Sequence, residues 1–169
     1  MMTNEVQQAK RPVSAALAGP YGHPFHPILV TVPIGAWVAA LVFDIASRFV
    51  AEPGFLAKGA LWLIAIGVLG ALAAAMVGFL DLFAIPTGTP AFRTGLTHMG
   101  LNLTVTVGYV ANFLWRRAAD TGPVGLGPLL LSVVCLALLT AAGYLGGKLA
   151  YRYGVRVADE ATQADGFRR

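Results

Sequence analysis

Charge is scarce in this sequence, and the scarcity excludes most soluble folds. Only 12% of the residues are Asp, Glu, Lys or Arg and 57% are hydrophobic, whereas a soluble domain is about a quarter charged, so the chain reads as a membrane protein. Cysteine is nearly absent: Cys135 stands alone, so no internal disulfide can form, and its place in the middle of an apolar run assigns it to packing. The first twenty residues, MMTNEVQQAKRPVSAALAGP, lack an apolar core followed by a cleavage site, so no secretory signal is expected and the N-terminus should be retained. No Ser, His and acid arrangement, phosphate-binding glycine loop or pair of catalytic carboxylates can be picked out, which leaves a conventional hydrolase without support. The basic residues flank apolar runs and are not interleaved with aromatics. The net charge of +4 therefore suits anionic lipid headgroups, and nucleic-acid binding is set aside.

Four apolar runs are long enough to cross a bilayer, since about 20 residues span the hydrocarbon: 28–50, 60–80, 95–115 and 126–150. The links between them are short and rich in Gly and Pro, with no room for a second domain. The expected architecture is all-α, an integral membrane four-helix bundle over 21–157, with a polar N-terminal tail at 1–20 and a polar C-terminal tail at 158–169. An even number of spans puts both termini and the middle link on one side. That side holds Lys10, Arg11, Arg93, Lys148, Arg152, Arg156, Arg168 and Arg169, against Arg48, Lys58, Arg116 and Arg117 on the other. The positive-inside rule then predicts a multi-pass protein of the bacterial inner membrane with cytoplasmic termini. In the second run Gly67, Ala71 and Ala75, and on a nearby face Gly70, Ala74 and Gly78, recur at small-xxx-small spacing. Such residues permit close helix approach, first of all within the bundle, with a homodimer contact as the other use. No strong sequence repeat relates the two halves, so an inverted-repeat transporter has no direct support.

The chain has three histidines, and two of them stand in YGHPFHPILVTVPIG just before the first run. Pro27 suits the first position of a helix, which places His26 at the N-cap. Pro24 and Pro27 bias His23 and His26 to a stiff, extended segment. A helix start disfavours a charged imidazole and keeps the ring neutral, the state that ligates metals. The third, His98, begins a stripe. At 100° per residue Asn102, Val105, Tyr109, Asn112 and Arg116 all lie within about 40° of its face, and polar groups inside a membrane face the bundle interior. Asp44 follows His26 at the same interval at which Arg116 follows His98, so Asp44 and Arg116 should share a depth and could pair, with Arg48 as the competing partner. Topology brings His23, His26, His98 and Asp81 to one surface, where Lys148, Arg152 and Arg156 also arrive.

YGHPFHPILVTVPIGAW, GFLDLFAIP, THMGLNL and GGKLAYRYGVRV together resemble the bacterial membrane family known as domain of unknown function 2231, over roughly residues 20–157. The resemblance implies a four-span membrane fold and carries no established activity. His23, His26, Asp44, Asp81, His98 and Asn102 match its polar pattern, without roles.

Three functions fit these residues, beside a structural one. In the first, His98 and one histidine of HPFHP ligate a b-type haem, Asn102 lies beside them, and Arg93, Lys148, Arg152 and Arg156 meet the propionates; the protein is then a redox component with a membrane redox partner. In the second, His23, His26, His98 and Asp81 hold a transition-metal ion. In the third, the polar stripe conducts protons or a small solute. In the structural reading the histidines anchor the first span while Asn102 and Asn112 bridge helices in a non-catalytic subunit.

Overall fold

The computed structural model describes residues 2–117 and 122–168, and these are helical and loop segments without a strand. Part of the link between the third and fourth runs, and Arg169, fall outside the described residues. Helix α1 covers Met2–Lys10, α2 Phe25–Leu29, α3 Thr31–Ala46, α4 Gly54–Leu82, α5 Pro90–Arg116 and α6 Leu126–Gly147; α7 is a short Glu160–Asp165 helix. The chain is therefore all-α, and its long helices form a bundle in which α3 packs on α4, α4 on α5, α5 on α6, and α6 closes back on α3.

Three spans pass by length and apolar composition alone: Phe25–Ala46, Gly54–Leu82 and Leu126–Arg152. Helix α5 has 27 residues, about 40 Å at 1.5 Å per residue, and is less apolar because it carries the polar stripe. The stripe points inward: Val105, Tyr109, Asn112 and Arg116 are buried, while Leu96, Leu103, Val107, Leu114 and Trp115 face out. Outward threonines satisfy their own hydroxyls. Thr97 and Thr104 each donate to the carbonyl four residues back, which suits surroundings without water.

Several boundaries differ from those expected. The first span starts at Phe25, so His26 lies in the first helical turn and Pro24, extended at φ −65° and ψ 143°, takes the N-cap. Pro27 still costs nothing there, because the first four N–H groups of a helix have no internal partner. At the far end the helix stops at Ala46: residues 48 and 49 tighten into bonds to the carbonyls three residues back, leaving Val50 outside. The last long helix, α6, winds into a π turn over Lys148–Arg152. Neither tail is purely a polar tail, since Ala9 in α1 is buried and Lys10 pairs with Glu160 in α7 at 2.7 Å.

The small residues of α4 serve the bundle itself. A Cβ on Gly67 would sit 2.2 Å from Nε1 of Trp37, and one on Gly70 would sit 2.7 Å from Val32, so both glycines bring α3 close rather than facing a second copy. Cys135 is buried with its sulfur against Gly108, as packing requires.

Candidate functional site

The interior is built in three layers, each pairing a residue of the first span with one of α5. At one end His26 faces His98, ring centroids 6.1 Å apart and planes at 80°. In the middle Trp37 stacks on Tyr109 at 4.1 Å and 12°, an aromatic contact that adds to its burial. At the other end Asp44 meets Arg116 through two bonds of 2.6 Å. The two members of every layer stand 72 residues apart.

The supporting helices repeat the same rule. His26 Nδ1 lies 2.9 Å from the Ala74 carbonyl on α4, and His98 Nδ1 lies 2.8 Å from the Ala142 carbonyl on α6. Each carbonyl has a glycine four residues on, where the helix would otherwise cover it. A Cβ on Gly78 would come within 2.7 Å of His26 Nδ1, and one on Gly146 within 3.1 Å of His98 Cε1. One layer down, Trp37 Nε1 donates to Ile64 on α4, and the Tyr109 hydroxyl donates to Ser132 on α6. These acceptors keep the interval that separates Ala74 from Ala142. Each half is thus a His-bearing helix on an Ala-xxx-Gly helix, and the halves are related by rotation about an axis along the bundle. The repeat lives in contacts more than in residue identity, which is why a scan for sequence repeats passes over it. It is a parallel repeat, not an inverted one.

The two imidazoles have a definite chemistry. With Nδ1 bonded to a carbonyl it carries the proton, and Nε2 is left as the basic nitrogen, the usual way a second partner orients a ligating histidine. Asn102 braces this from below: its amide donates to the His98 carbonyl at 2.8 Å. That amide also lies 3.4 Å from His98 Nδ1 and 3.3 Å from His98 Nε2.

The remaining candidates are placed as follows. His23 is extended, with Nδ1 near the carbonyl of Pro24 and its ring edge-on to Tyr21, outside the pair. Asp81 forms an ion pair with Arg156 at 3.0 Å and lies one turn beyond Gly78, on the side of His26. Arg93 and Arg152 are exposed at this end, and Lys148 lies over the Tyr153 ring, 5.6 Å from its centroid. Among the described residues no three His, Cys, Asp or Glu side chains gather closely enough to hold a metal ion.

The opposite layer is a closed network. Arg116 also donates to Asn112 Oδ1 and to Ser132 Oγ, Asn112 donates to Ser132 and to the Pro128 carbonyl, and Ser47 accepts from the backbone of Val124. Arg48 takes no part in pairing Asp44; it donates to the Val124 carbonyl at 2.7 Å. Fully partnered and buried, this layer clamps α3, α5 and α6 together and offers no free group for chemistry.

No curated protein and no solved structure matches the chain. A family model described as a predicted membrane protein, DUF2231, matches residues 22–159.

Proposed function

We propose that this chain, which belongs to the DUF2231 family of predicted membrane proteins, is a four-span inner-membrane protein that holds a b-type haem between His26 and His98 and serves as a redox component. The observation that carries this reading is the His26–His98 layer on the axis relating the two halves. With ring centroids 6.1 Å apart, His26 and His98 are the residues that would hold the group between them. Both rings have Nδ1 committed to a carbonyl, which leaves Nε2 as the nitrogen that would ligate, with Asn102 beside that of His98. A bare ion would need further protein ligands, whereas a porphyrin brings four of its own, so the two-histidine donor set fits haem better. Bound haem would supply one-electron chemistry at the membrane rim. The chain's part is to hold and orient it: Ala74 and Ala142 fix the rings, Gly78 and Gly146 make room for them, and Arg93, Lys148 and Arg152 offer cations for the propionates. Conduction is less favoured, because Trp37, Ile64, Val105 and Tyr109 are fully buried and separate the polar ends with an apolar layer.

Protein purified after expression with ample haem should show a Soret band and the sharp reduced bands of a low-spin species. A colourless protein, free of haem and metal by elemental analysis, would refute the assignment.

The inward stripe and outward apolar face of α5 support a fourth span, and eight basic residues against four support cytoplasmic termini. Reporter fusions after Gly54 and after Gly122 should both fall outside the cytoplasm. A cytoplasmic signal from either would overturn the topology.

A further inference from the structure

At the histidine end only the first half carries an acid beside its imidazole. Asp81 lies on α4 one turn past the glycine that seats His26, and Arg156 reaches it from the C-terminal segment. Both side chains are largely buried, 6% and 12% exposed for Arg156 and Asp81. Arg156 does three things at once. Its Nε contacts Asp81, its Nη2 donates to the Leu17 carbonyl at 2.7 Å, and its backbone N–H donates to the Ala9 carbonyl at 2.9 Å. One guanidinium thus ties the N-terminal segment to α4 beside His26. A second tie, Lys10 to Glu160 at 2.7 Å, joins the two terminal segments and holds the Glu160 carboxyl below its usual range.

This tie is under strain. Arg156 sits at φ 58°, a left-handed backbone that a side chain other than Gly or Asn rarely adopts. Asp81 Oδ1 and Arg156 Nε are buried without a well-aimed hydrogen bond, so their contact is Coulombic and incomplete. A cleft of about 560 Å³, with Asn4, Gln7, Arg11, Phe83 and Ala84 among its lining, lies between α1 and the end of α4.

We propose that Arg156, bonded to the Leu17 carbonyl and paired with Asp81, is a releasable latch that holds the strap of residues 11–24 against the end of α4 beside His26. Opening the latch exposes His26 to water while His98, on the other half, stays covered by α6. The device governs access to the imidazole and does not depend on what the pair ligates.

The test is carbethoxylation of the full chain in lipid nanodiscs without added haem, read for each histidine by mass spectrometry. Arg156→Gln and, separately, Asp81→Asn should raise the His26 rate by about tenfold or more, because each removes the charge pairing that holds the latch closed. His98 should change much less. Joining Lys10→Cys to Glu160→Cys with a short bis-maleimide, in a Cys135→Ser background, should lower the His26 rate even with Arg156 intact. Equal rates in wild type and both latch variants, an equal rise at His26 and His98, or no response to the cross-link would each overturn the proposal.

Discussion

Replacing Asp44 with Asn is expected to destabilise the bundle by about 3–5 kcal/mol, the usual effect of leaving one member of a buried ion pair uncompensated. Asp44 is fully buried and Arg116 is 8% exposed, and the carboxylate accepts both forks of the guanidinium. Bidentate pairs are strong because geometry and charge coincide. Once the acid is neutral, Arg116 keeps only Asn112 and Ser132 as partners, in surroundings where a lone cation is costly. Thermal unfolding in detergent, followed by tryptophan fluorescence, measures the effect. Asp44→Asn combined with Arg116→Met should lose much less than the sum of the two single changes. Strict additivity would mean that the pair does not couple.

The second large effect concerns the proposed haem. Haem content should fall from one per chain toward zero in His98→Ala and, because the site lies on the axis between the halves, equally in His26→Ala. His23→Ala should keep its haem, since its ring lies against Tyr21 and outside the pair. Gly78→Leu should also lose haem although it removes no ligand, because any side chain there collides with the imidazole that Ala74 orients. The pyridine haemochrome assay on purified variants reads all four. Full haem in Gly78→Leu would show that ring placement is looser than the contacts require, and loss in His23→Ala alone would move the ligand out of the helix.

Much of this interior follows from counting along the sequence. The 100° rotation from His98 finds Asn112 and Arg116 on the buried face, and the equal intervals His26 to Asp44 and His98 to Arg116 place the ion pair, because helix rise is fixed whatever the neighbours do. The seats of the imidazoles are harder to see. Gly78 reads as one more small residue of a packing stripe, and nothing in a helical run marks the carbonyls of Ala74 and Ala142 as acceptors, since each already accepts a bond within its own helix. Only the facing helix shows their second use. The repeat is hidden for a related reason: Trp37 against Tyr109 and Asp44 against Arg116 conserve position and contact while changing residue. The terminal tie was least legible, because left-handed geometry at Arg156 runs against its residue type and α1 is too polar to announce docking.

The most direct measurement of the central claim is the low-temperature electron paramagnetic resonance spectrum of the oxidised, haem-loaded protein. Two imidazoles ligating one iron with planes at 80° should give a strongly anisotropic low-spin signal dominated by a single large g value. A high-spin signal, as from an iron with one histidine, or the three-line rhombic signal of parallel imidazoles would contradict a haem held between His26 and His98 in the arrangement described.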